Sequence, residues 1–129
     1  MPDWGDAKRQ STLLVLYVPS ANRFGKALGV KQQQRWVRTA LRVLGQTMRG
    51  ATAFPRGLGV WRDDARGGKL VWDRPVIVQC YTTEDALEQH AATLRKFLIE
   101  MGAATMQGAV GFVIDRDFYE ISFPLDEEQ

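Results

Sequence analysis

His90 and Cys80 are each the only residue of their kind in the 129-residue chain. A thiol beside an imidazole is the smallest nucleophilic unit a sequence can offer, provided the two meet in space and the thiol is activated. Cys80 alternates with Val76 and Val78 along an apolar run, which first makes it a small buried hydrophobe. His90 stands one helical turn from both Leu87 and Leu94, beside an apolar stripe, which first makes it a packing histidine. Both are kept as pocket candidates. One His and one Cys fall short of the usual zinc ligand sets, so no metal is expected. The chain has no GxxxxGK[ST], and "FGKALG" lacks that spacing, so no cofactor is expected either.

A second group could act through charge alone. Lys31, Arg35, Arg38, Arg42 and Arg49 recur at helical spacing and fall within an arc of about 60°. No carboxylate interrupts them. Such a stripe is a solvated outer face, or an anion site for nucleic-acid phosphates or an acidic protein partner. No aromatic is interleaved, so base stacking is not expected there. The asymmetry extends along the chain. Residues 1–62 hold eleven Lys/Arg against two Asp/Glu, and residues 63–129 hold six against thirteen, while the net charge is only +2. An acidic surface of a second copy is therefore an available partner for the stripe.

The stretch from Gly50 to Gln79 is rich in glycine and arginine and carries Trp61 and Trp72. Phosphate-binding glycine loops precede a helix; these glycines precede strands, where they mark turns and bulges. The two tryptophans sit one on each arm of a hairpin, where they could pair across it or form an interface. Asp63/Asp64 and Asp115/Asp117 lie in turns, where Asp is favoured locally. The loop "PSANRFGKALG" supplies Asn22, Arg23 and Lys26 as further pocket candidates.

These groups must be held by a fold, and the pattern supplies one. "STLLVLYV" (11–18) reads as a buried strand ended by Pro19, with Leu14, Leu16 and Val18 on one face and Leu13, Val15 and Tyr17 on the other. A helix follows over 30–48, its apolar face Val37, Leu41, Leu44 and Met48, with Gly50 just past its end. Strands are expected at 50–54, 58–62, 69–73 and 76–81, with a turn at "DDARGG". A second helix runs from the N-cap Thr83 to Gly102, with Leu87, Ala91, Leu94, Leu98 and Met101 inward. Strands "AVGFVI" and "FYEISF" close the chain around "DRD", before an acidic tail at 124–129. The order β-α-β-β-α-β plus one strand predicts a single α+β domain over residues 1–129: a ferredoxin-like split βαβ sandwich, with an antiparallel sheet and two helices on one face. A first strand apolar on both faces calls for a second cover, so a homo-oligomer is expected.

Hydrophobic residues make up 45% and charged residues 25%, an ordinary globular balance. No apolar run approaches the roughly 18 residues of a membrane span, and residues 1–10 are a polar lead-in without a signal core. A lone cysteine gives no disulfide, so a cytoplasmic protein without membrane partners is expected.

The order of elements resembles the PII-type signalling proteins, in which a G-x-T segment after the first helix leads into a G-x-G strand. The corresponding residues are Gly50, Thr52, Gly57 and Gly59. The nucleotide-binding glycine segment of that family has no counterpart in "AATMQGAVGFV", and no nucleotide site is carried over. The string Gly59-Val60-Trp61-Arg62-Asp63, with Leu16-Tyr17, also resembles a family of small bacterial proteins that supplies no activity. These features predict a small non-catalytic binding or regulatory protein. The alternatives are a small enzyme with a pocket between sheet and helices, using His90 and the 19–29 loop, and a sequence-tolerant nucleic-acid binder using Arg35, Arg38 and Arg42.

Overall fold

The computed structural model describes residues 2–124. The elements are β1 (Thr12–Val18), α1 (Val30–Met48), β2 (Thr52–Phe54), β3 (Gly59–Asp63), β4 (Lys69–Asp73), β5 (Val76–Thr82), α2 (Glu84–Ala104), β6 (Ala109–Ile114) and β7 (Asp117–Ser122). Five strands form one antiparallel sheet in the order β2-β5-β1-β6-β7, while β3 and β4 pair only with each other. The order β2-β5-β1-β6 is the ferredoxin-like arrangement, and β7 extends it at the β6 edge.

Strand alternation decides which side the helices cover. Leu14, Leu16 and Val18 of β1 pair with Cys80, Val78 and Val76 of β5, so all six point to one face. With Val110 of β6 they meet Ala40, Leu44 and Met48 of α1 and Leu94, Phe97, Leu98 and Met101 of α2 in a continuous core. Trp36 of α1 and Phe97 of α2 join the helices, ring centroids 6.1 Å apart. Each fully buried aliphatic side chain contributes roughly 1.5–3 kcal/mol. The opposite face carries Leu13, Val15, Tyr17, Ile77, Gln79 and Tyr81, and no helix among the described residues covers it.

The structure corrects four local expectations. α1 ends on Arg49, which itself takes the left-handed conformation (φ 75°) expected of Gly50. α2 does not stop at Gly102 but continues to Ala104. Gly102 is glycine for a packing reason: a Cβ there would lie 2.3 Å from Phe123 Cζ and 2.8 Å from Val110 Cγ2. The Gly-rich middle yields only a three-residue strand for the main sheet, β2; the other two strands form a separate hairpin. Within that hairpin Trp61 pairs with Val71 and Trp72 with Val60, so the tryptophans sit on opposite faces and do not pair.

Candidate active site

The hairpin and the 19–29 loop build a concavity at one end of the sheet's open face. Pro19 breaks β1 at that end, and Ser20 then ties the loop to the hairpin. Its N–H and Oγ–H both donate to Asp73 Oδ1 (2.8 and 2.6 Å), and its Oγ accepts from Arg74 N–H (2.7 Å). Gln33, buried at the start of α1, donates from Nε2 to Val18 O (3.3 Å) and Arg74 O (3.0 Å). Arg66, in the turn between β3 and β4, lies over the Phe24 ring at 4.8 Å. On the other side Gln107 Nε2 donates to Ala21 O (2.8 Å). Since buried polar groups are costly to leave unpaired, this network fixes the hairpin against the sheet.

Between hairpin and sheet lies a cavity of about 370 Å³, within the range of small-molecule sites. Tyr17, Ala109 and Gly111 come from the open face of the sheet, Trp61 from the hairpin, and Phe118 and Glu120 from β7. Gly108, just before β6, and Gly111 within it leave room for two of the rings. Trp61 Cη2 lies 3.5 Å from where a Gly108 Cβ would be, and Phe118 Cζ 2.4 Å from where a Gly111 Cβ would be. Among the described residues the lining thus has three aromatic rings and two carboxylates, Asp73 and Glu120, and contains no Lys, Arg or His. Asp73 is half engaged by Ser20, whereas Glu120 is exposed and in no salt bridge among the described residues. Aromatic faces and unpaired carboxylates attract cations, and such a lining disfavours phosphates.

The residues singled out from the sequence fall elsewhere. Cys80 is buried against the helices, and burial pushes its thiol pKa up, the direction of an inert thiol. His90 is half-buried on α2, and no hydrogen bond joins it to Cys80 among the described residues. Asn22 is buried and shapes the loop, its Oδ1 accepting from Phe24 N–H (2.9 Å) and Lys26 N–H (3.0 Å). Lys26 is exposed. Arg23 is buried behind the cavity, with Nη1 donating to Phe123 O (3.4 Å) and Pro124 O (3.2 Å). Lys31, Arg35, Arg38, Arg42 and Arg49 are all exposed, and none is in a salt bridge among the described residues. Trp61 turns inward to the cavity, and Trp72 stays 60% exposed.

The cavity described above lies on the sheet face away from the helices, whereas a pocket was expected between sheet and helices. The groove beside α2, of about 420 Å³, is lined by Leu94, Leu98, Phe112 and Ile121 and does not include His90. Sequence reasoning missed Tyr17, Gly111, Phe118 and Glu120. One signal was present: an isolated glycine inside the apolar strand "AVGFVI" marks a close approach to the backbone. No helix among the described residues is long and apolar enough to cross a membrane.

No family model and no curated protein matches the chain. Two solved structures do. A phage SAM lyase in complex with S-methyl-5'-thioadenosine superposes with a TM-score of 0.67 at 18% identity, over 95% of this chain and 97% of the other. A phage SAM lyase in the apo state gives 0.65 at 15% identity, over 95% and 100%. At these identities the likeness is one of fold, and it extends over nearly the whole of each chain. It also overturns the ground for expecting a non-catalytic regulatory protein, since both of these structures, which share this architecture, are of a lyase.

Proposed function

We propose that the protein is a lyase acting on S-adenosylmethionine, with the open-face cavity as its active site. The observation that carries this reading is the lining: three aromatic rings and two carboxylates without a single cation, beneath a fold shared with SAM lyases. S-adenosylmethionine brings a sulfonium, an α-ammonium and a purine, which are the partners such a lining favours.

The lining has no His, Cys, Ser or Lys among the described residues, and its two carboxylates are taken up in binding the substrate in this reading. Cleavage by intramolecular displacement needs neither a protein nucleophile nor a base. The substrate's own carboxylate oxygen forms a bond to its Cγ, the Cγ–S bond breaks, and the electron pair leaves on sulfur. The products are neutral S-methyl-5'-thioadenosine and a five-membered lactone that keeps the ammonium. No water enters and no proton moves. The protein's part is orientation and exclusion of water, the terms on which an intramolecular attack depends most. Glu120, the freer carboxylate, holds the ammonium. Asp73, fixed by Ser20, faces the ribose hydroxyls. The aromatic walls accept the sulfonium and release the neutral thioether, since a neutral group loses the cation–π attraction.

The test is incubation with S-adenosylmethionine followed by mass spectrometry. S-methyl-5'-thioadenosine should accumulate without any added acceptor, and Glu120→Gln should raise KM at least tenfold. Turnover absent at micromolar protein, or products bearing oxygen from water at the ribose 5' carbon, would refute the assignment.

A further inference from the structure

The side chain that stands out in the cavity wall is Phe118. On β7 it is opposite Val113, which makes Gly111 of β6 its diagonal neighbour on the same face of the sheet. The tip of its ring occupies the space a Gly111 side chain would fill, with Cζ at 2.4 Å and Cε1 at 2.6 Å from the place of the missing Cβ. Any other residue at position 111 would drive the ring away. Phe118 nevertheless remains 59% exposed. An aromatic ring is thus held at a defined place beside the cavity, with most of its apolar surface still open.

The other two rings are differently committed. Trp61 reaches Gly108, where it shares that space with the Arg23 guanidinium, and is half-buried. Tyr17 lies on the central strand of the sheet. Phe118 has no polar atom, so it adds no hydrogen-bond readout. What it offers is a planar apolar face, the complement of a planar heterocycle.

Building on the lyase reading, we propose that Phe118 is the specificity-determining residue that stacks on the adenine ring, and that Gly111 is glycine to let it do so. The substrate class that follows is adenine thionucleosides, with the base recognised by its face. The test is isothermal titration of the full chain with S-methyl-5'-thioadenosine and with 5-methylthioribose, which has the same thioether but no base. Phe118→Leu should weaken the nucleoside about 5- to 150-fold, the range that base–aromatic stacking supplies, and should leave 5-methylthioribose unchanged. Phe118→Trp should restore nucleoside binding. Gly111→Ala should lower it in the same direction, by displacing the ring. Equal nucleoside affinity of wild type and Phe118→Leu would overturn the inference while leaving the lyase reading intact. So would wild-type protein that binds 5-methylthioribose as tightly as the nucleoside, a result that needs no variant to fold. Wild-type protein that binds no adenine nucleoside at millimolar concentration would overturn both.

Discussion

Gly102→Ala sets two known effects against each other. Alanine in place of glycine inside a helix gains about 1 kcal/mol. Here the added methyl would lie 2.3 and 2.4 Å from two ring carbons of Phe123 and 2.8 Å from Val110 Cγ2. Carbon atoms rest at about 3.5–4.0 Å, so the Phe123 ring must retreat by more than about 1 Å. Val110 is only 4% exposed and has little room to yield. Phe123 is anchored through its backbone: its N–H donates to Gly108 O (2.8 Å) and its carbonyl accepts from Arg23. Overpacking of this kind costs about 1–3 kcal/mol. Loss of part of the ring's burial adds up to about 2 kcal/mol. Packing therefore outweighs propensity, and the net destabilisation should be about 1–3 kcal/mol. For a chain of this size that lowers Tm by about 5–15 °C, read by circular dichroism at 222 nm. In a Phe123→Ala background the cost should fall by at least half, because the partner in the clash is gone. A Gly102→Ala protein that melts at or above the wild-type temperature would refute the packing argument.

Three further outcomes can be checked. Burial raises the Cys80 pKa above the ordinary thiol value of about 8.5, so the folded state holds that proton longer than the unfolded state. The resulting stability is fully present below about pH 8 and is lost as pH rises through the folded value. The urea midpoint should fall between pH 8 and pH 10 more steeply than in Cys80→Ala. Arg38→Glu replaces repulsion towards Arg35 and Arg42 with attraction, so it should stabilise α1 by about 1 kcal/mol at low salt and by less at high salt; a loss of stability would show that the stripe meets an acidic partner. With Phe54, Leu70, Trp72 and Tyr81 exposed, we expect a homo-oligomer, with Trp72→Ala shifting it to smaller species; a clean monomer by light scattering at micromolar concentration would refute this.

Much of the fold was legible because period and punctuation agree. The alternation of β1 identified Leu14, Leu16 and Val18 as one face, and these are the core residues of that strand. Thr83 read as an N-cap, and its side chain accepts from Ala86 N–H. The α1 stripe was shifted rather than wrong in kind: Ala40, Leu44 and Met48 are buried with Gln33, while Val37 and Leu41 flank them. A buried glutamine bonding to two distant carbonyls leaves no mark in hydropathy. Hairpin register was also hidden, since one residue of slip moves a tryptophan to the other face.

The site was less legible than the fold, and the cause is geometric. Its groups come from β1, the hairpin and the β6–β7 pair, and only sheet order brings Tyr17, Trp61, Gly111 and Glu120 around one hollow. The rare residues drew attention first, but rarity alone does not mark a site. Cys80 faces the helices because it shares the parity of Val76 and Val78, a fact already contained in the strand pattern. The same parity argument, applied to the polar side of the sheet, would have placed Gly111, Phe118 and Glu120 together on the uncovered face. A face left without helices, with glycine in its strand and aromatics beside unpaired carboxylates, is where a cationic ligand gains most. The aromatic faces and the carboxylates attract it, and no lining residue among those described repels it.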